Sequence, residues 1–207
     1  MSGCHLTYGC CSALSSAISS PHSQMTELDL SDNNKMEDSG VAQLCQGLIR
    51  ENCKLQKLSL SECGLTSKCG LPLYLVLSSP HSQLTELDLS NNNMEDKEVY
   101  LLFEGLKSEN CLVEKLSLAY CSLNSDCWSI LSLVLSSPHS QLTELDLNDN
   151  MLGFRGISAL YEGLRSPNCK LETLRLSDNV ISESEKNNLR SLQEELNSSG
   201  RQVDIEI

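Results

Sequence analysis

Pairs of carboxylates recur along the chain with one residue between the two members, and such pairs can perform general acid–base catalysis. They are Glu27 with Asp29, Glu86 with Asp88, and Glu144 with Asp146. Catalysis by two carboxylates needs one special environment that moves their pKa values apart. Three identical copies indicate three similar, solvated environments, and no Ser/His/Asp or Cys/His set stands out from the repetition. The pattern therefore argues against an enzyme.

Cysteine and histidine also recur at equivalent positions, which raises the question of metal sites or disulfides. The columns are Cys4, Cys63 and Cys121; Cys10, Cys69 and Cys127; Cys53, Cys111 and Cys169; and His22, His81 and His139. If each repeat adds one strand to a sheet, equivalent residues two repeats apart are about 10 Å from each other. That distance exceeds the reach of a disulfide or of one tetrahedral zinc ion. We expect reduced thiols in a repeating slot, solvated histidines in turns, no metal and no cofactor.

The repetition also defines the elements that position these side chains. The segment SSPHSQMTELDL at residues 19–30 returns as SSPHSQLTELDL at 78–89 and 136–147. A second type alternates with it and begins NCKLQKLSL, NCLVEKLSL and NCKLETLRL at residues 52, 110 and 168. Both types contain LxxLxL, and leucines that alternate with polar residues predict a short strand buried on one face.

An Asn or Cys follows each strand and completes the pattern LxxLxLxx(N/C)xL, which is that of a leucine-rich repeat. This position holds Cys4, Asn33, Cys63, Asn92, Cys121, Asn150 and Asn179. Its side chain can satisfy backbone groups where the chain leaves the strand, a demand that returns in every repeat. Apolar residues then follow at i, i+3 and i+7, as in Val41, Leu44 and Leu48, and predict a helix.

Three features of the helices allow more specific predictions. Gly47, Gly105 and Gly163 stand one residue before the last apolar position, where we expect close packing of helix on strand. Pro72 predicts a late start or an irregular first turn in its helix. Trp128 breaks the repetition, and we expect it to be partly packed between adjacent helices.

Stacking these units predicts an α/β fold, a leucine-rich-repeat solenoid (horseshoe) with parallel strands on the concave face and helices on the convex face. We assign residues 1–182 to an array of about six full repeats that begins mid-repeat. Residues 183–207 are assigned to a closing helix and an edge strand. The start within a repeat suggests a fragment of a longer chain.

Composition excludes several classes of function. The 207 residues carry a formal charge of −13, which argues against nucleic acid or an anionic membrane as partner. No apolar stretch is long enough to span a membrane, and no secretory signal is visible. Eleven cysteines without such a signal predict a reduced, cytoplasmic protein.

Polar residues between the strand leucines are expected to face the inside of the horseshoe. One column is Glu27, Lys57, Glu86, Lys115, Glu144 and Thr173, and the next is Asp29, Ser59, Asp88, Ser117, Asp146 and Arg175. With neighbouring strands about 4.8 Å apart, each lysine should bridge two flanking glutamates. The aspartates have no matching cation before Arg175. This acidic stripe either steers a basic protein or peptide, or is a by-product of repeat duplication that favours solubility.

The alternating Asn-type and Cys-type repeats resemble the ribonuclease-inhibitor class of leucine-rich repeats. SSPHSQLTELDLSNN and ENCKLQKLSLSECGLT are similar to the C-terminal repeats of fish NLR receptors, the NACHT- and LRR-containing innate immune sensors, and the resemblance covers essentially the whole chain. It implies a cytosolic ligand-sensing or autoinhibitory module beside an ATP-binding oligomerisation domain. This chain itself has no GxxxxGK[ST] motif for nucleotide binding.

The predicted function is therefore protein–protein interaction, with a protein or peptide as partner or with the parent chain's own ATPase domain. The candidate partner-binding residues are Glu27, Asp29, Lys57, Glu86, Asp88, Lys115, Glu144, Asp146 and Arg175 on the concave face and Tyr120 at its rim. Two alternatives stay open: a stand-alone, ribonuclease-inhibitor-like binder of a basic enzyme, and a truncated structural repeat fragment with no selected ligand.

Overall fold

The strands form one open parallel sheet in which each repeat contributes the next strand. The structure is a computed structural model that describes residues 1–94, 99–124 and 127–207. Within these residues the sheet has seven strands in chain order. They are β1 (Glu27–Asp29), β2 (Lys57–Ser59), β3 (Glu86–Asp88), β4 (Lys115–Ser117), β5 (Glu144–Asp146), β6 (Thr173–Arg175) and β7 (Asp204–Glu206). The middle residues stand in register from Leu28 of β1 to Ile205 of β7, as a solenoid requires.

A helix precedes each strand and lies in a second layer. The helices are α1 (Tyr8–Ile18), α2 (Glu37–Leu48), α3 (Gly70–Leu77), α4 (Val99–Leu106), α5 (Trp128–Ser136), α6 (Gly153–Arg165) and α7 (Glu183–Ser198). In the described part of the chain, no helix combines the length and the apolar character that crossing a membrane requires. A short 3-10 helix, Ser67–Cys69, leads into α3, and Pro72 is the third residue of α3. This 3-10 turn confirms the predicted irregular first turn. Proline is tolerated in the first turn of a helix because its missing N–H has no helical partner there.

One apolar core runs between the two layers along the whole array. The strands contribute their central leucines, such as Leu58, and the helices contribute stripes such as Val41, Leu44 and Leu48. Because each repeat buries its apolar face only against its neighbours, nearest-neighbour contacts stabilise the array. Trp128 is completely buried in this core, so the prediction of partial packing is wrong. Its indole N–H has no hydrogen-bond acceptor among the described residues.

The glycine column brings two helices together, and the prediction of close helix-on-strand packing is wrong. A Cβ on Gly105 of α4 would lie 2.9 Å from the Cβ of Leu77 in α3. A Cβ on Gly163 of α6 would lie 2.8 Å from the Cβ of Leu135 in α5. Gly47 of α2 meets Ser15 of α1 in the same way. The helices therefore pack as the pairs α1–α2, α3–α4 and α5–α6.

Asparagine side chains join the turns of successive repeats. Asn92 Oδ1 accepts the backbone N–H of Cys63 (3.1 Å) and of Leu65 (2.9 Å). Its Nδ2 donates to the carbonyls of Leu60 and Leu89, each at 2.9 Å. By contrast, Cys63 donates its thiol to one carbonyl of the preceding repeat, that of Leu30, at 3.1 Å. The predicted role of this position is confirmed, and Asn fulfils it with more hydrogen bonds than Cys.

The outer edge of β7 is covered by side chains of α7. Asp204 donates its backbone N–H to Glu172 on the side of β6. On the opposite side, the N–H of Ile205 donates to Gln193 Oε1 and that of Val203 to Asn197 Oδ1, both at 2.8 Å. Unpaired backbone groups on an edge strand are templates for pairing with another chain. The two amides satisfy donors that would otherwise form such a template.

Candidate functional site: the concave groove

Nine of the ten candidate residues line one groove on the strand side of the sheet. The groove has a volume of about 290 Å³, and its lining includes the leucines Leu28, Leu58, Leu87 and Leu116. Polar side chains from β1 to β6 surround these leucines because residues alternate between the two faces of a strand. The groove is thus a continuous surface built from one short segment of each repeat.

Lysines and glutamates alternate along the first column of the groove. Lys57 Nζ lies 3.4 Å from Glu27 Oε1 and 3.4 Å from Glu86 Oε1, so the predicted double bridge is confirmed there. These two carboxylates, Glu27 most strongly, raise the pKa of Lys57. Among the described residues Lys115 pairs with Glu144 alone, at 2.6 Å, so the double bridge predicted for it is wrong. The Glu86 carboxylate is already engaged by Lys57.

The aspartates of the second column are fixed by local hydrogen bonds. Oδ1 of Asp29, Asp88 and Asp146 each accepts the N–H of the residue two positions later, at 2.9 to 3.0 Å. Asp88 also accepts the hydroxyls of Ser59 (2.9 Å) and Ser90 (2.7 Å). Hydrogen bonds from Ser31 lower the pKa of Asp29. Each aspartate therefore stabilises the turn that follows its strand, a role that the pattern Asp-x-Ser/Asn could have indicated.

The groove carries an excess of negative charge. Its lining includes six carboxylates and three cations, Lys57, Lys115 and Arg175. Arg175 Nε lies 3.3 Å from Glu206 Oε2 of β7, the next residue of the same column, so this cation is engaged by a glutamate and not by an aspartate. Of the ion pairs between described residues, none includes Asp29, Asp88 or Asp146. Among the residues that the structure describes, these three carboxylates therefore form no salt bridge, and the only cation that contributes to the lowered pKa of Asp29 there is the N-terminal ammonium group.

Tyr120 lies outside the groove, on the rim where the chain leaves β4. Its side chain is 55% exposed, and its backbone is left-handed, with φ of 54°. A hydrogen bond to the carboxylate of Asp149 raises the pKa of the Tyr120 phenol, and the charge of Asp178 adds to this effect. Sequence reasoning missed Asp149 and Asp178, because they are separated from Tyr120 by one and two repeats.

The cysteines are all free thiols, and most of them are buried. Burial raises the pKa of Cys111 to about 11 and that of Cys121 to about 12. Thiols with such pKa values are poor nucleophiles because the thiolate is the reactive form. Within the described ranges, no three His, Cys, Asp or Glu side chains are grouped as metal ligands.

Comparison with known proteins tests the repeat assignment directly. The Leucine Rich repeat family matches residues 23–45, 51–71, 82–97 and 168–183, which include β1, β2, β3 and β6. The chain is a leucine-rich-repeat solenoid. Two solved structures share this fold. The tropomodulin C-terminal domain of Caenorhabditis elegans has a TM-score of 0.54 at 11% identity, covering 92% of this chain and 95% of that one. A leucine-rich-repeat protein of Leptospira interrogans has a TM-score of 0.50 at 18% identity, covering 88% of this chain and 48% of that one.

The solenoid is also homologous in sequence to repeat regions of larger proteins. It is 45% identical over 173 residues to the NACHT, LRR and PYD domains-containing protein 3 of Rattus norvegicus, and 44% identical over 175 residues to that of Homo sapiens. Each match covers 84% of the solenoid and 16% of the relative. The Ribonuclease inhibitor of Mus musculus is 40% identical over 177 residues, which is 85% of the solenoid and 38% of the inhibitor. The solenoid thus spans a small part of these relatives, and the resemblance to fish receptors stays a prediction.

Proposed function

We propose that this solenoid is a protein-interaction module that binds a protein or peptide in its concave groove. The observation that carries the proposal is the groove itself, a continuous surface of leucines and charged side chains contributed by six successive strands. Sequence homology to repeat regions of NACHT- and LRR-containing proteins supports a place in a cytoplasmic, NLR-like innate immune receptor. There the module senses a ligand, or it covers the receptor's own ATPase domain and inhibits it.

The charge of the groove favours a basic partner. Lys57, Lys115 and Arg175 are each engaged by a glutamate, whereas Asp29, Asp88 and Asp146 form no salt bridge with another described residue. Complementary charge steers association and selects partners more than it adds affinity. The repeated carboxylates are thus assigned to recognition, and we propose no enzymatic reaction.

A capture experiment with a charge-neutral variant tests this function. The native chain and a variant with Asp29→Asn, Asp88→Asn and Asp146→Asn are used as baits in cytosolic extract under reducing conditions. Asparagine removes the charge but can still accept the N–H two residues later, so the turns are kept. A matched control replaces the exposed Glu51, Glu109 and Glu194 by Gln.

Quantitative mass spectrometry then compares the three baits. Partners held by the native chain and the control, but lost by the aspartate variant, support binding in the groove. Identical lists, or empty lists, contradict it and favour a structural fragment with no selected ligand.

A second candidate function is inhibition of a basic enzyme such as a ribonuclease. The 40% identity to the Ribonuclease inhibitor of Mus musculus favours it, although the match covers 38% of that protein. The test is ribonuclease activity with excess solenoid in reducing buffer. Unchanged activity excludes this candidate and leaves the receptor module.

A further inference from the structure

Tyr120 occupies a position that its residue type does not favour. It belongs to a column of left-handed residues, one after each strand from β1 to β6: Asp32, Glu62, Asn91, Tyr120, Asp149 and Asp178. Asn and Asp tolerate this conformation, whereas a bulky aromatic residue there is an outlier. Core packing does not account for the tyrosine, because its side chain is 55% exposed. The ring is therefore an exposed aromatic surface held by a strained backbone.

The next two repeats place carboxylates beside this ring. The Tyr120 N–H donates to Asn148 O, and the Asp149 N–H donates to Ser177 O, both at 3.0 Å, so the three loops are stacked in order. The carboxylate of Asp149 raises the pKa of the Tyr120 phenol, and the charge of Asp178 adds to this effect. Negative charge thus lies on the hydroxyl side of the tyrosine, while the residue remains exposed.

A shallow pocket lies on the other side of Tyr120. Its lining includes Glu62 and Asn91 from the two preceding repeats, and Ser122. The ring is therefore flanked by carboxylates and by amide and hydroxyl groups that can accept hydrogen bonds. A guanidinium group matches this set best, since it stacks on aromatic faces and presents five donors in one plane.

We propose that the ring face of Tyr120 is a subsite for an arginine side chain of the partner that occupies the concave groove. This proposal rests on the function proposed above. Ser117, the last residue of β4, lines the groove, and Tyr120 follows it by three positions. That separation is about 10 Å in extended chain, so one bound segment reaches both places. The subsite distinguishes arginine from lysine, because an ammonium group neither stacks nor donates in a plane.

Fluorescence polarisation with two labelled peptides tests the subsite. The probes are an oligo-arginine peptide and an oligo-lysine peptide of equal length and charge. Tyr120→Asn installs the residue that the same column holds at Asn91, so the variant is expected to fold. Tyr100→Ala removes another exposed tyrosine, on α4 of the convex face, and is the matched control.

We expect Tyr120→Asn to weaken binding of the arginine peptide by about tenfold and that of the lysine peptide by about threefold or less. Tyr120→Phe should keep most of the affinity, because the ring remains. Equal affinity of the native chain and Tyr120→Asn for the arginine peptide would overturn the subsite.

The triple Asp→Asn variant of the groove separates this proposal from the function on which it rests. If that variant loses the arginine peptide while Tyr120→Asn does not, the groove function stands and the subsite is wrong. If only Tyr120→Asn loses it, the subsite stands and the groove function fails. A native chain that binds neither peptide contradicts both.

Discussion

Replacing Asn92 by Ala tests whether the asparagine column holds the repeats together. The side chain makes hydrogen bonds to four buried backbone groups, the N–H of Cys63 and of Leu65 and the carbonyls of Leu60 and Leu89. Each lost bond leaves a backbone group without its partner and costs about 1 kcal/mol. Asn92→Ala should therefore lower the free energy of unfolding by about 4 kcal/mol. This is a large share of the roughly 5–15 kcal/mol that stabilises a typical domain.

Cys63→Ala is the matched comparison at the equivalent position of the neighbouring repeat. The thiol has a single proton, which it donates to the carbonyl of Leu30 at 3.1 Å, with the carbonyl of Ser61 as a longer contact at 3.5 Å. Its removal should cost about 1 kcal/mol from the hydrogen bond, with a small addition for the lost volume. The prediction is thus an ordering, with the asparagine about four times as costly as the cysteine.

Urea unfolding measures both variants. The chain has a single tryptophan, Trp128, which is completely buried, so its fluorescence reports on α5. Circular dichroism reports on all the helices, and coincident transitions support a two-state treatment. Equal destabilisation by Asn92→Ala and Cys63→Ala would refute the reasoning, since it would mean that packing, and not hydrogen bonding, determines what the side chain at the Asn/Cys position contributes to stability.

Three further predictions follow from glycine packing and from the thiols. Gly105→Ala should lower the free energy of unfolding by about 1–3 kcal/mol, because its Cβ would lie 2.9 Å from Leu77 Cβ. Gly9→Ala in α1 should raise it by about 0.5–1 kcal/mol, because the nearest atom to the new Cβ is 3.6 Å away. The midpoints of urea unfolding check the sign of both changes. Burial raises the pKa of Cys45 to about 12 from 9.0, so its contribution to stability is complete below pH 9 and is lost as the pH rises toward 12. The fall in stability above pH 9 should be shallower in Cys45→Ala, and an unchanged slope contradicts this assignment. In Ellman's assay of the native protein, the exposed Cys4 should react fastest, and Cys4→Ser should remove that phase but leave the total after denaturation lower by one thiol.

Much of the fold could be predicted because the same residue pattern for strand, turn and helix recurs in each repeat. Alternating leucines predict the strands, the helical stripe predicts the second layer, and the Asn/Cys position follows from backbone groups that need partners. The partner of Gly105 could not be predicted in this way. The glycine spacing predicts that the backbone at Gly105 packs closely against a neighbouring element, but it does not say whether that element is a strand or a helix. In the structure the neighbour is the helix α3.

The candidate site was predictable as a surface and less so as a set of interactions. Strand alternation is sufficient to bring nine residues into one groove. It does not decide which of two neighbouring glutamates pairs with Lys115, since one of them is already engaged by Lys57. Nor does it reveal that the loops of three repeats bring Tyr120, Asp149 and Asp178 together, because no spacing rule applies to loops.

The pairing of helices has a consequence for editing the array. A glycine-bearing helix fits only against the preceding helix that makes room for it, as Gly105 fits against Leu77. Deleting or duplicating one repeat would therefore place two helices of the same kind side by side. The module that can be removed or inserted without such a mismatch is two repeats long, such as residues 78–135, and lengthening the solenoid should succeed in even steps and fail in odd ones.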